Sequence, residues 1–233
     1  MRFQDAARDA RAIVYAGIQA DPLVGRAAAL LAVASPGERL LARAAMNGET
    51  VDPAPWRTMF PSLFGPEVAP EARDRAEAIL AVALDVAGRG EQVRSQFRGA
   101  IVEELTGRIL ARRVPAAAVH RERRILFDGV RAEIHPYDVM VELPDRAEAY
   151  DCKWGARGVN AEVLLQLDAA RAHAEVEERR LLVALVVFDA RRSCRVRLAR
   201  LSPMPGVRLV ALESLDALGR AKAAPAAPGA APA

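Results

Sequence analysis

The sequence predicts an α/β fold with a mixed sheet, preceded by a helical N-terminal region, and three observations lead there. Residues 91–113 carry apolar side chains at helical spacing and stop before Pro115. Three short β-like runs follow, at 118–127, 137–143 and 147–154, with "LPDRA" (143–147) as a turn between the last two. A helical stretch at 160–180 then leads into "LLVALVVFDA" (181–190), which is apolar on both faces and reads as a buried strand. A strand meander followed by a crossover helix requires antiparallel and parallel neighbours in one sheet, with helices packed on it.

The remaining elements fall on either side. Residues 1–48 read as helical, being rich in alanine with apolar residues three and four apart; Asp21-Pro22 and Ser35-Pro36 pair an N-cap with a proline at the first helical position. Residues 49–70 hold many prolines, together with Trp56, Phe60 and Phe64, and read as an ordered connection or binding loop rather than a helix. A helix resumes over 70–87 and "GRG" ends it. "SCRVRLARL" (193–201) alternates like an edge or half-buried strand, 213–220 suggests a last helix, and the Ala/Pro-rich end is low in complexity and expected to be disordered. The expected organisation is a helical region at 1–90, an α/β domain at 91–219 and a tail at 220–233.

The 233 residues are 52% hydrophobic, enough to bury a sizeable core. No apolar run approaches the roughly 20 residues that span a bilayer, and the charged N-terminus lacks the apolar segment of a secretory signal. With only Cys152 and Cys194, a disulfide framework or cysteine-rich zinc site is not expected. These features suggest a soluble cytoplasmic protein. The formal charge of +3 is a weak pointer to an anionic partner.

Lysine usage is more informative. Of 33 basic residues, only Lys153 and Lys222 are lysine, and Lys222 lies in the tail. Arginine cannot replace lysine where chemistry needs a compact ammonium, so Lys153 in "AEAYDCKWGARG" calls for an explanation. On a strand, Asp151 and Lys153 share one face, and Cys152 turns to the other with Tyr150 and Trp154. If the two runs pair about the 143–147 turn, opposed residue numbers sum to about 290, Asp138 lies opposite position 152, and Asp138 and Asp151 stand close. Two carboxylates, a backbone carbonyl and waters suit Mg²⁺. A neighbouring lysine can position or deprotonate water, or neutralise phosphate charge. The alternatives are a solvated surface pair for Asp151 and Lys153 and a strand-start or turn aspartate for Asp138.

"YDVMVELPDRAEAYDCKW" (137–154) resembles the core motif of the PD-(D/E)XK nucleases, the restriction-endonuclease-like superfamily. Asp138 matches the first acid, with Tyr137 intervening after Pro136, and Asp151 and Lys153 match the second acid and the lysine. The family's αβββαβ core order agrees with the elements read over 91–190. On the first core helix, "GAIVEELTGRIL" (99–110) places Glu103 at the position of a further acid, with Glu104 next to it. Gln166 matches a polar residue on the helix after the lysine strand, although Ala170 stands where some subfamilies carry tyrosine. The resemblance covers about 94–190. It implies a Mg²⁺-dependent phosphodiesterase, with Mn²⁺ able to substitute, acting on DNA. Glu103, Asp138, Asp151 and the Cys152 carbonyl would hold metal, Lys153 would activate or position water, and Gln166 would orient Lys153 or bind phosphate. A non-cleaving module that binds nucleic acid or a partner protein, and a nuclease for RNA or branched DNA, are the alternatives.

Other side chains carry weaker signals. Arg157, Arg121, Arg123 and His135 are candidates for nucleic-acid contact, as are the arginines at 124, 191, 192, 195 and 197, each against an ordinary surface role. Trp56, Phe60 and Phe64 could stack on bases or pack between the two regions. The N-terminal helices would supply DNA contacts, a homodimer surface or a regulatory input. Cys152 is expected to be core packing.

Overall fold

The computed structural model describes residues 1–6, 10–131, 135–201 and 206–220. The expected disorder of the tail falls on 221–233, outside the described residues. The chain begins with a short strand, β1 (Arg2–Asp5), and three helices, α1 (Ala10–Gln19), α2 (Pro22–Val33) and α3 (Pro36–Asn47). Next come α4 (Ala54–Met59), α5 (Pro61–Phe64), α6 (Pro70–Ala87) and α7 (Glu91–Leu110). The remaining elements are β2 (Val119–Phe127), β3 (Val130–Arg131), β4 (Tyr137–Glu142), β5 (Ala147–Lys153), α8 (Ala161–Val176), β6 (Leu181–Val187), α9 (Arg191–Leu198) and β7 (Arg208–Ala211), closed by a 3-10 helix at Leu212–Gly219.

Local chemistry sets the helix starts. Asp21 accepts from the Leu23 amide at 2.8 Å and Pro22 opens α2. Ser35 and Glu38 close a reciprocal capping box ahead of α3. Asn160 caps α8 through the Val163 amide at 2.9 Å.

The sheet is mixed, as expected, in the order β1-β2-β4-β5-β6-β7, with β3 paired on β2. The first four strands of that path are antiparallel, and β5, β6 and β7 run parallel. The crossover α8 makes the β5–β6 pairing possible. The β4–β5 hairpin pairs Val139 with Tyr150 and Met140 with Ala149, one position from the expected register and within reach of the same juxtaposition. One face of the sheet carries Tyr150, Cys152 and Val186 under α7, and the same apolar cluster continues into α2, α3 and α6. The other face packs Ala147, Ala149 and Val183 against α8, and Cys194 of α9 joins that cluster.

Three expectations need correction. Residues 2–5 form a strand on β2 instead of starting a helix; pairing with a sheet edge outweighs the helical preference of so short a segment. The 49–70 connection contains α4 and α5, because Pro55 and Pro61 sit in first helical turns, where the missing amide hydrogen costs nothing. Residues 193–201 are largely helical in α9, which turns Cys194 and Leu198, four apart, inward. The expected last helix is present, as a 3-10 helix at Leu212–Gly219. Trp56 is buried, and Phe60 and Phe64 pack against the same cluster, so these aromatics serve the core.

Arg39 is the largest fully buried side chain among the described residues. It donates to the Leu31 and Ala32 carbonyls at 3.0 and 3.3 Å and pairs with Asp216 at 2.7 Å, tying the end of α2 and α3 to the C-terminal 3-10 helix. Arg39→Met keeps the volume but removes these donors. Chemical denaturation should show a loss of about 1–3 kcal/mol; an unchanged midpoint would mean that water replaces the guanidinium at no cost.

Candidate functional site

The site lies at the end of the sheet where β4 begins and β5 ends. Asp138 is the second residue of β4, and its Oδ2 accepts the Cys152 amide at 2.6 Å. That bond ties the first acid to the strand that carries the second. Alternation along β5 sends Cys152 toward α7, where its sulfur meets Thr106 Oγ1 at 3.5 Å, and leaves Asp151 and Lys153 on the other face. The Lys153 ammonium forms an ion pair with Asp151 Oδ1 and lies 4.0 Å from Asp138 Oδ2. Asp151 is 5% exposed, whereas the side chains of Asp138 and Lys153 keep 20% and 25%. The constellation expected from "DCKW" therefore forms, with its ammonium at the open side.

Burial raises the Asp138 pKa well above the ordinary carboxylate range, and the charges of Asp151 and Glu103 push the same way; Lys153 and the Cys152 amide oppose them. Burial lowers the Lys153 pKa, but Asp138 and Asp151 outweigh it and leave the ammonium more firmly protonated than usual. Burial raises the thiol pKa of Cys152, and that of Cys194 to about 11. Both thiols are buried and free, so neither is a ready nucleophile.

Glu103, on α7, is 5% exposed and near enough for its charge to act on Asp138. Its partners come from α1: Tyr15 Oη donates to Oε1 at 2.6 Å and Gln19 Nε2 to Oε2 at 2.8 Å. Burial raises the Glu103 pKa against these two hydrogen bonds. Glu104 turns away to pair with Arg108 and Arg121. Gln166 is buried on α8, and its amide holds the main chain of His135, accepting from N at 3.1 Å and donating to O at 2.9 Å. That grip fixes the approach to β4, three residues before Asp138. The His135 side chain is 72% exposed and lies 3.6 Å from Glu162.

The proposed contact arginines separate into two groups. Arg121 is paired with Glu104, and Arg123 with Asp5 and Glu142 at 2.6 and 2.7 Å, so both are committed within the fold. Arg157 is exposed on the 3-10 turn Ala156–Gly158, whose Gly158 lies against Lys153: a Cβ there would stand 3.4 Å from Lys153 Cδ. Behind this turn, Arg197 Nε of α9 donates to the Val159 carbonyl at 2.7 Å. Arg191, Arg192 and Arg195 on the same helix are exposed and form no ion pair among the described residues.

The N-terminal helices hold the site through polar residues that the strand motif does not include. Arg43 of α3 donates to Asp189 Oδ2 at 2.6 Å and to the Phe188 carbonyl at 3.1 Å, and Asp189 in turn accepts the Ala156 amide at 3.0 Å. Asn47 accepts from Trp154 Nε1 at 2.8 Å, and the Trp154 ring stacks on Phe188 at 5.0 Å. The segment after Lys153 is thus clamped from α3. Tyr15/Gln19 and Arg43/Asn47 are each polar pairs at i, i+4, and that spacing on alanine-rich helices was the available signal.

Fold and site together define an α/β protein with a mixed sheet and a carboxylate–lysine cluster at the end of its central strands. No family model matches the chain, and no curated protein matches it. Among solved structures, the chain is similar to protein VC1899 from Vibrio cholerae, with a TM-score of 0.47 and 15% identity over 94% of this chain. It spans 56% of that protein's length, and a likeness at this level carries no argument about fold or activity. Among the described residues, no helix is long and apolar enough to cross a membrane.

Proposed function

We propose that the protein is a metal-dependent phosphodiesterase acting on DNA, built on a restriction-endonuclease-like core of the PD-(D/E)XK type. The element order α7-β2-β4-β5-α8-β6 supports the core assignment. The observation that carries the reading is the convergence of Asp138 and Asp151 on the Lys153 ammonium at the open end of β5. A surface pair would serve as well with arginine in a chain that otherwise writes arginine.

The donor set fits a hard cation. Asp151 Oδ1 is buried with the Lys153 ammonium against it, and Asp138 is burdened by neighbouring negative charge that a cation would relieve. Asp138, Asp151 and the Cys152 carbonyl, with Glu103 behind them, would hold Mg²⁺, with Mn²⁺ as a substitute. Such an ion polarises a phosphoryl oxygen and makes bound water more acidic. Lys153, kept protonated, is suited to hold the attacking water or offset charge on the phosphate rather than to take a proton. Gln166 acts through the main chain of His135, keeping Asp138 in place. Duplex DNA, single-stranded DNA, branched DNA and RNA, each incubated with Mg²⁺ and with EDTA, test the assignment. Cleavage of duplex DNA that EDTA abolishes is expected; cleavage of only RNA or branched DNA would change the substrate, and cleavage of none would overturn the activity.

Arg157 and the exposed Arg191, Arg192 and Arg195 form the surface best placed to carry the phosphate backbone past Lys153. Replacing the three α9 arginines with alanine in an Asp151→Asn background should weaken DNA binding. The slope of log K against log salt should flatten by roughly 2–3 units, about 0.9 for each phosphate no longer neutralised. Fluorescence anisotropy across a salt series reads this, and an unchanged slope would exclude α9.

A second reading has its own observation. Both Glu103 oxygens are already engaged by α1, and among the described residues no three of His, Cys, Asp and Glu form a metal-holding group. That favours a non-cleaving module binding nucleic acid or a partner protein. Calorimetric titration with Mn²⁺ separates the two, since the module would not bind it.

A further inference from the structure

Tyr15 and Gln19 stand four residues apart on one face of α1 and divide the Glu103 carboxylate between them, one oxygen each, at 2.6 and 2.8 Å. A carboxylate gripped at both oxygens has a fixed plane, yet each oxygen keeps a second lone pair for another partner. The helix comes close to α7 to make these contacts. A Cβ at Gly99 would lie 3.0 Å from Tyr15 Oη, so glycine at that position makes room for the phenol. Among its described side chains α1 buries none fully, and only Tyr15 and Ile18 reach the main apolar cluster. By contrast, α2 and α3 each bury six residues. The specific contribution of α1 is thus to meet Glu103, whose charge acts on Asp138.

We infer that Tyr15 and Gln19 are positioning residues that aim Glu103 at the Asp138–Asp151 pair, making α1 a working part of the site. The inference rests on the phosphodiesterase reading above. It requires no movement of α1, because the free lone pairs of a doubly held carboxylate are sufficient for one more bond. Partners of ligating carboxylates matter quantitatively: losing one costs roughly 10–100-fold in metal affinity or activity.

The test is calorimetric Mn²⁺ titration of the full chain, with the melting temperature of the metal-free protein measured alongside. Tyr15→Phe keeps the ring and should weaken Mn²⁺ binding about tenfold, and Tyr15→Phe/Gln19→Leu should approach a hundredfold. Glu103→Gln should lose comparable affinity. Tyr15→Phe alone decides the matter if the double variant does not fold. If wild type binds Mn²⁺ and Tyr15→Phe or Glu103→Gln binds it equally well, with only the melting temperature lowered, Tyr15 and Gln19 merely anchor α1 and the inference falls. If wild type binds no Mn²⁺, the metal-dependent reading fails first and the inference falls with it.

Discussion

Asp138→Asn is expected to abolish cleavage and, at the same time, to raise the melting temperature at neutral pH. The two effects have one cause. Asp138 is placed where burial, Asp151 and Glu103 all disfavour its charge. The amide oxygen of asparagine can still accept the Cys152 N–H bond that joins β4 to β5, so the substitution removes the unfavourable charge and keeps the structural contact. The pH dependence follows from the sign of the shift. A carboxylate whose folded pKa is raised contributes stability in full below its unfolded pKa, about 3.9 for aspartate. That contribution is lost as pH rises from there through the elevated folded value. Glu103, also raised, adds to the same trend. Wild-type melting temperature should therefore fall over this window more steeply than that of Asp138→Asn. Each 1 kcal/mol recovered corresponds to roughly 2–4 °C in a chain of this size. Thermal melts across a pH series read the difference. A variant less stable than wild type at every pH would make Asp138 an ordinary structural aspartate.

Lys153→Met should reduce cleavage by roughly 10²–10³-fold, the usual cost of removing one charge-stabilising donor from a reacting centre, and its metal-free form should be less stable than wild type. Lys153 is the cation nearest to both carboxylates, and without it Asp138 and Asp151 face each other with their repulsion uncompensated. Mn²⁺ should therefore raise the melting temperature of Lys153→Met by more than that of wild type, since ligand binding to the folded state stabilises by mass action and the ion would take over the neutralising role. Single-turnover cleavage and thermal melts with and without Mn²⁺ measure both effects. Full activity in Lys153→Met would remove Lys153 from the chemistry. Equal Mn²⁺ responses would separate it electrostatically from the acids.

Much of this site could be read in the sequence because its parts are local. Asp151 and Lys153 lie two apart on one strand, and strand alternation puts them on one face whatever the rest of the chain does. Asp138 reaches them through a hairpin whose register the 143–147 turn nearly sets; the error of one residue did not separate the acids. The helix starts at Asp21-Pro22 and Ser35-Pro36 were readable for the same reason, since a cap depends on three or four neighbouring residues.

Where two local readings competed, pattern alone chose wrongly. "SCRVRLARL" alternates in strand fashion, but Cys194, Leu198 and Leu201 also recur four and three apart, and packing against the Ala156–Val159 segment selects the helix. The prolines of 49–70 mark breaks in one reading and helix starts in the other. A four-residue strand such as β1 has no periodicity to detect, and only the edge of β2 makes it one.

By itself, then, the sequence determined the α/β class with its mixed sheet, the hairpin, and the placing of two acids and a sole body lysine at one strand end, all consequences of short-range geometry. Only the tertiary structure decided which distant residues serve them. Tyr15 and Gln19 reach Glu103 across 88 and 84 residues. Arg43 reaches Asp189 across 146, and of the arginines proposed for nucleic-acid contact, Arg157, Arg191, Arg192 and Arg195 have no ion pair among the described residues, whereas Arg121 and Arg123 are paired. Such contacts form because apolar faces of separate elements must be buried against one another, and the polar residues riding on those faces meet only once that burial has fixed how the elements pack.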